Sequence, residues 1–132
     1  MKMFGFKTLL SGALMAGAFL VHAIPATAHH SGAMWDREKE VKITGTVKEF
    51  QYTNPHSWLI VEVTNEDGTT TEWGFESEGP TTLMRAGIPK SALPPGTKVT
   101  VTAHPMKDGR PAGSWVSLEK EDGTVLVPRP GE

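Results

Sequence analysis

The sequence contains no cysteine. This absence excludes disulfide bonds, zinc sites with cysteine ligands, thiol catalysis and a lipid-modified cysteine near the N-terminus. A hydrophobic core alone therefore has to stabilise the fold. The chain of 132 residues is long enough to build one domain around such a core.

Basic side chains are few and form no cluster. The chain has 13 Lys and Arg against 15 Asp and Glu, a net charge of −2 with neutral histidines. Two of the lysines, Lys2 and Lys7, lie near the N-terminus, where no acidic residue occurs. Binding to phosphate backbones needs a positive surface, so we predict that nucleic acid is not a partner.

The chain also lacks an apolar run long enough to cross a membrane, which takes about 20 residues. The longest run, Leu9–Val21, follows a short positive region and precedes Pro25 and the small-x-small pattern Ala26–Ala28. This order is typical of a cleavable signal peptide. We predict that residues 1–28 are removed on export and that no membrane span remains. A weaker cleavage site at Val21–Ala23 and a retained anchor are the alternatives.

Strand patterns dominate the rest of the chain, residues 29–132, which we predict to form a single domain. A polar arm, residues 29–40, comes first, and alternating apolar and polar residues then predict half-buried strands. A short helix at 82–87 separates the third predicted strand from the fourth. Three strands, a helix and two strands predict an all-β, five-stranded OB-like barrel, with a two-sheet sandwich as the alternative. The predicted strands are 41–47, 57–63, 69–75, 98–103 and 114–118.

Gly45 interrupts the first predicted strand, which indicates a bulge or a sharp bend there. The tail, residues 128–132, is predicted to be frayed. The alternation predicts these residues in the core: Val47, Leu59, Val61, Phe75, Val99, Val101 and Leu118.

Several short motifs occur together in the chain: His29–Ser31, Gly45–Phe50, Thr53–Trp58, Glu72–Trp73, and His104–Pro105 with Asp108–Gly109. In combination they resemble a family of small exported bacterial proteins that is classed as a domain of unknown function. The resemblance covers nearly all of the chain after residue 28. It implies a periplasmic protein with one domain, and it implies no activity or ligand.

Four histidines lie outside the predicted signal peptide: His29, His30, His56 and His104. Cleavage after Ala28 makes His29 the first residue, so its α-amine and its ring form a chelate. One further imidazole gives a three-nitrogen set that suits copper, which stands highest among the divalent metals in affinity for nitrogen ligands. We predict a transition-metal site, copper first, built from these histidines.

The strand order separates two of these histidines. In an OB barrel the fourth strand pairs with the first, so His104 is expected near the start of the first strand and His56 near its end. About ten extended residues span roughly 30 Å, so the two share no metal ion unless the first strand bends at Gly45. His56 is the favoured partner of the arm, with Asn54 and Trp58 beside it. The alternative is that the histidines only hydrogen-bond the backbone.

Two tryptophans, Trp58 and Trp115, are expected on the outer face of the barrel. Outward aromatic rings bind organic ligands or proteins by stacking, or else cover a second small core together with Trp35. The function predicted first is therefore a periplasmic binding or accessory protein for copper. The alternative is a metal-free module that binds a protein partner or a small organic ligand through Trp58, Trp115 and Asn54.

Signatures of catalysis are weak. Glu76 and Glu78 are two residues apart, which permits acid–base chemistry, but solvated charges explain them more simply. Ser31 and Ser57 each follow a histidine, and neighbours in sequence do not make a catalytic triad. We predict that the protein is not an enzyme.

Overall fold

The computed structural model describes residues 31–131. The predicted signal peptide and two of the four candidate ligands, His29 and His30, lie outside this range. After a 3-10 helix at Ser31–Met34, the strands are β1 (Val41–Gln51), β2 (Trp58–Thr64), β3 (Thr70–Glu76), β4 (Lys98–Pro105), β5 (Ala112–Lys120) and β6 (Val125–Leu126). Between β3 and β4 lie the helix α1 (Pro80–Arg85) and a 3-10 turn at Lys90–Ala92.

The strands close into a barrel. Their order is β3-β2-β1-β4-β5-β6, and all of these neighbours are antiparallel. The barrel closes where the end of β3 pairs in parallel with the start of β5, over Gly74–Glu76 and Ala112–Ser114. This confirms the predicted all-β, five-stranded OB-like barrel with a short helix between the third and fourth strands.

The long strand β1 pairs with β4 along its first half and with β2 along its second half. Residues 41–46 pair with β4 and residues 46–51 pair with β2. At Gly45 a Cβ atom would lie 2.4 Å from the carbonyl oxygen of Glu62, so no larger residue fits. The irregularity of β1 is a bulge at Lys48, between Val47 and Glu49, three residues after Gly45.

Turn chemistry ends the short elements where the sequence predicts. Asp67 accepts hydrogen bonds from the amide and hydroxyl groups of Thr69, and Gly68 has a φ of 83° in the β2–β3 hairpin. The helix α1 ends at Arg85, and Gly87, two residues later, has a φ of 76°. Burial of Leu83 holds α1 against the barrel.

The seven predicted core residues are all buried, and further apolar side chains join them: Phe50, Leu83, Ile88, Leu93, Ala103 and Trp115. The outward placement of Trp115 was wrong, because the ring is only 5% exposed. Thr102 pairs with Ser117 and Ala103 with Trp115, which leaves Val116 as an extra residue in β5. This bulge reverses the alternation, so Trp115 and Leu118 both point inward.

The two ends of the described chain are held on the barrel. Trp35, in the arm, is 3% exposed and forms a bridge with Met106. The prediction of a frayed tail was wrong for the described residues, because Pro128 is buried and Arg129 forms an ion pair with Glu78. Within residues 31–131, no helix is long and apolar enough to span a membrane.

Candidate functional site

A histidine and a buried carboxylate meet where β2 begins and β3 ends. Trp58 pairs with Glu76, and the ladder continues beyond both strands because the Ser77 amide donates to the Ser57 carbonyl at 2.9 Å. This register carries His56 back over the end of β3. Its Nδ1 lies 2.9 Å from Oε1 of Glu76 and 3.2 Å from the carbonyl oxygen of Ser77.

Both partners of the His56 Nδ1 atom are acceptors, so this nitrogen carries the hydrogen. In the neutral ring, the lone pair is then on Nε2. A carboxylate or carbonyl that accepts from one ring nitrogen fixes the tautomer and the orientation of histidines that bind metals through the other nitrogen. The His56 ring therefore has the arrangement of an oriented ligand.

Glu76 is not a solvated charge, as the sequence had suggested. It is 7% exposed, and its side chain is held by His56. Its neighbour in sequence, Glu78, forms an ion pair with Arg129 instead. The two carboxylates thus have separate partners. Since a buried carboxylate is costly without a hydrogen bond, His56 and Glu76 depend on each other.

His104 has a similar arrangement on β4. Its Nδ1 is 2.8 Å from the carbonyl oxygen of Lys39, so Nε2 is again the nitrogen without a backbone partner. His104 pairs with Ser114, and Ser114 pairs with Glu76 across the parallel closure. The pairing of β3 with β5 therefore places His56 and His104 at the same end of the barrel. The distance between them estimated along the first strand did not take this pairing into account. Two strand spacings, about 10 Å, separate the backbones of His104 and Glu76.

The histidines do not form one metal cluster by themselves. Within residues 31–131, no group of three or more His, Asp or Glu side chains is placed to hold a metal ion. The other two predicted ligands, His29 and His30, lie outside the described residues. A three-nitrogen site would therefore combine a barrel histidine with the start of the arm.

The arm is anchored beside this end of the barrel. The Trp35 ring lies 6.4 Å from the Trp58 ring, and the amides of Asp36 and Lys107 donate to the carbonyls of Pro105 and Met34 at 2.8 and 3.0 Å. A hydrogen bond from Lys39 lowers the pKa of the Asp36 carboxyl. Trp35 is the sixth residue after His29, a span of at most roughly 20 Å.

The other predicted binding residues have different places. Trp58 is half-buried and packs on Trp35, which is the second small core that the sequence offered as an alternative. Trp115 lies in the main core. Asn54 is exposed with its side-chain oxygen close to Gly79, and the hydrogen-bond partners of His56 are Glu76 and Ser77.

A groove of about 890 Å³ lies away from these histidines. It runs between the end of β1 and residues 90–95, with Phe50, Tyr52 and Pro94 in its walls. The Tyr52 hydroxyl donates to the Ile88 carbonyl at 2.8 Å, and burial raises the pKa of its phenol. No histidine lines this groove, so it is a weaker candidate for a metal site than the histidine end.

Comparison with known proteins gives a family but no activity. The model of a family of unknown function, DUF6152, matches residues 18–116. No curated protein and no solved structure matches the chain. The chemistry of the site therefore has to be argued from its own residues.

Proposed function

The chain belongs to DUF6152, a family of unknown function, and on its own residues we propose that it is an exported, periplasmic copper-binding protein. The observation that carries this proposal is the hydrogen bond from His56 to the buried carboxylate of Glu76. It leaves Nε2 of His56 as the ligand atom and raises the electron density of the ring.

The remaining ligands come from the arm. After cleavage behind Ala28, the α-amine and ring of His29 bind one face of the ion, and Nε2 of His56 completes a three-nitrogen set. His30 supplies a ring or a backbone amide nitrogen. Amine and imidazole nitrogens favour Cu(II) over the other divalent ions of the first transition row. The anchored Trp35 keeps this chelate within reach of the barrel.

His104 stands outside this set. Its ring is directed by the Lys39 carbonyl, and Ser114 separates its strand from Glu76. We therefore expect a copper ion bound by His29 and His56 to be indifferent to His104.

Copper titration of the chain that begins at His29 tests the proposal. By calorimetry, His56→Ala should weaken Cu(II) binding at least as much as Glu76→Gln, for which we expect a loss of about tenfold, because loss of a ligand's hydrogen-bond partner costs 10–100-fold. One residue added before His29 should weaken binding as well, since it displaces the amine. Binding should fade below about pH 6, as protons compete for imidazole nitrogen.

His104→Ala is the matched control, and its affinity should equal that of the wild type. Electron paramagnetic resonance of the copper complex should show one nitrogen ligand fewer in His56→Ala than in the wild type. Equal affinities and spectra for the wild type and His56→Ala would reduce the site to an incidental terminal chelate and overturn the proposal.

The alternative, a metal-free module that binds through exposed aromatic rings, has less support. Trp58 is covered by Trp35, and Trp115 is part of the core. Both indoles therefore have less free surface for stacking than the sequence suggested.

A further inference from the structure

A second site is formed where the arm and the C-terminal tail flank the outer face of β4 and β5. The cleft between them has a volume of about 360 Å³. His104 and Ser114 lie between two walls, one with Arg37 and the other with Val127 and Arg129. We call this space the tail cleft. Its volume is in the range of small-molecule sites in proteins.

Polar side chains line the tail cleft. Nδ1 of His104 donates to the Lys39 carbonyl, so in the neutral ring Nε2 presents a lone pair and accepts a hydrogen bond rather than donating one. Ser114 is 8% exposed and adds a hydroxyl group. Trp115 also lines the cleft, but its ring packs against Phe50 in the main core, so its indole N–H is not offered to a ligand. An acceptor bound here would meet the hydroxyl group of Ser114 and the guanidinium group of Arg37.

The charge and the apolar surface of the tail cleft restrict the ligand further. Two guanidinium groups, Arg37 and Arg129, line it together with a single carboxylate, Glu40, while Glu78 partners Arg129 from outside. Val116 and Val127 provide an apolar wall. Guanidinium groups bind carboxylates through paired hydrogen bonds, and an apolar wall suits a hydrocarbon chain.

We propose that the tail cleft binds a small organic carboxylate, with Arg37 as the main contact to the carboxylate group. This site is separate from the proposed copper site, because it uses His104 and Ser114 and leaves His56 and Glu76 untouched. Its test therefore succeeds or fails independently of copper binding.

Nuclear magnetic resonance of the ¹⁵N-labelled chain from His29 tests the proposal, with butyrate as the probe. Butyrate should shift the backbone amide signals of Ser114 and His104 along one saturable curve. Propylammonium has the same propyl chain with an ammonium group in place of the carboxylate and should leave both signals unchanged. Arg37→Gln should weaken butyrate binding about tenfold, as expected for loss of a charged hydrogen bond.

Arg110→Gln is the matched control. It removes the same charge from the β4–β5 turn, where Arg110 pairs with Asp108, and should leave butyrate binding unchanged. Equal weakening by both variants would mean only a general charge effect and would overturn the proposal. So would shifts with inorganic phosphate as strong as those with butyrate, which would indicate an adventitious ion only, or no saturable shift with butyrate.

Discussion

At the scale of single residues, the buried carboxylate of Glu76 fixes the orientation of the His56 ring. A buried carboxylate needs a donor, and the His56 ring is the donor present. This hydrogen bond restricts rotation of the ring and occupies its Nδ1 atom. A histidine fixed in this way loses less conformational entropy when it binds a ligand than a free surface histidine would.

The sequence contained the information for this pair, but only through the strand register. Asn65–Gly68 closes the β2–β3 hairpin, and the register that follows puts Glu76 opposite Trp58, two residues from His56. Reading Glu76 only against Glu78 missed this, because the relevant neighbour is across the sheet. Trp115 was misplaced for another reason, since its inward direction depends on a bulge at Val116 that alternation alone does not predict.

Tyr52 is the single tyrosine of the chain, so its ionisation is directly visible. Burial raises the pKa of the phenol, and its hydroxyl donates to the Ile88 carbonyl. The phenol of the unfolded chain ionises near pH 10, so the full contribution of Tyr52 to the free energy of unfolding is present below about pH 10. This contribution is lost as the pH rises through the raised pKa of the folded state. Phenolate absorbance should therefore appear at higher pH in the folded protein than in denaturant.

Tyr52→Phe gives the control for this titration. The variant should lose roughly 1 kcal/mol of stability at neutral pH, since the Ile88 carbonyl loses its donor. Its stability should fall less between pH 10 and 12 than that of the wild type. Identical phenolate midpoints in the folded and denatured states would contradict the assigned environment of Tyr52.

At the scale of elements, the arm packs against the barrel, and the buried side chain of Trp35 holds it there. Trp35→Ala should release the arm while the barrel stays folded, because the ring packs outside the main core, against Trp58. Hydrogen exchange should then become fast at the amides of Asp36 and Lys107, which bond across this junction. The amides of Val101 and Leu118, in the core strands, should keep their protection.

Met34→Ala is the matched change in the same segment, since Met34 is 41% exposed. It should leave the protection of Asp36 and Lys107 as in the wild type. If copper binds between the arm and the barrel as proposed, Trp35→Ala should also lower the copper affinity, and Met34→Ala should not. Unchanged exchange in Trp35→Ala would mean that the backbone bonds alone hold the arm.

Elements with a clear period were predictable, and contacts between distant elements were not. The alternation of β4 placed Val99 and Val101 correctly, and the glycine at position 87 marked the end of α1. The burial of Pro128 and the pairing of Arg129 with Glu78 come from tertiary packing that no local pattern encodes. The candidate site follows the same division, because its histidines were identified and their partners were not.

At the scale of the whole molecule, the proposed copper site requires a defined first residue. The pattern Ala26–Ala28 predicts cleavage before His29. N-terminal sequencing and intact mass of the protein recovered from the periplasm should both give a chain that starts at His29. A start at Ile24 would place five residues before His29 and remove the amine from the chelate. A chain that still begins at Met1 would contradict export by cleavage.

The tail cleft has a consequence for handling the protein. Its two walls belong to the residues that enter the barrel, around Arg37, and to those that leave it, around Arg129. A tag, tether or fusion partner attached at either end would therefore crowd the same face and obstruct both proposed sites. The exposed tip of the β2–β3 hairpin is a better position for a label or a surface attachment, at Glu66 rather than at Gly68, whose φ of 83° a side chain would strain.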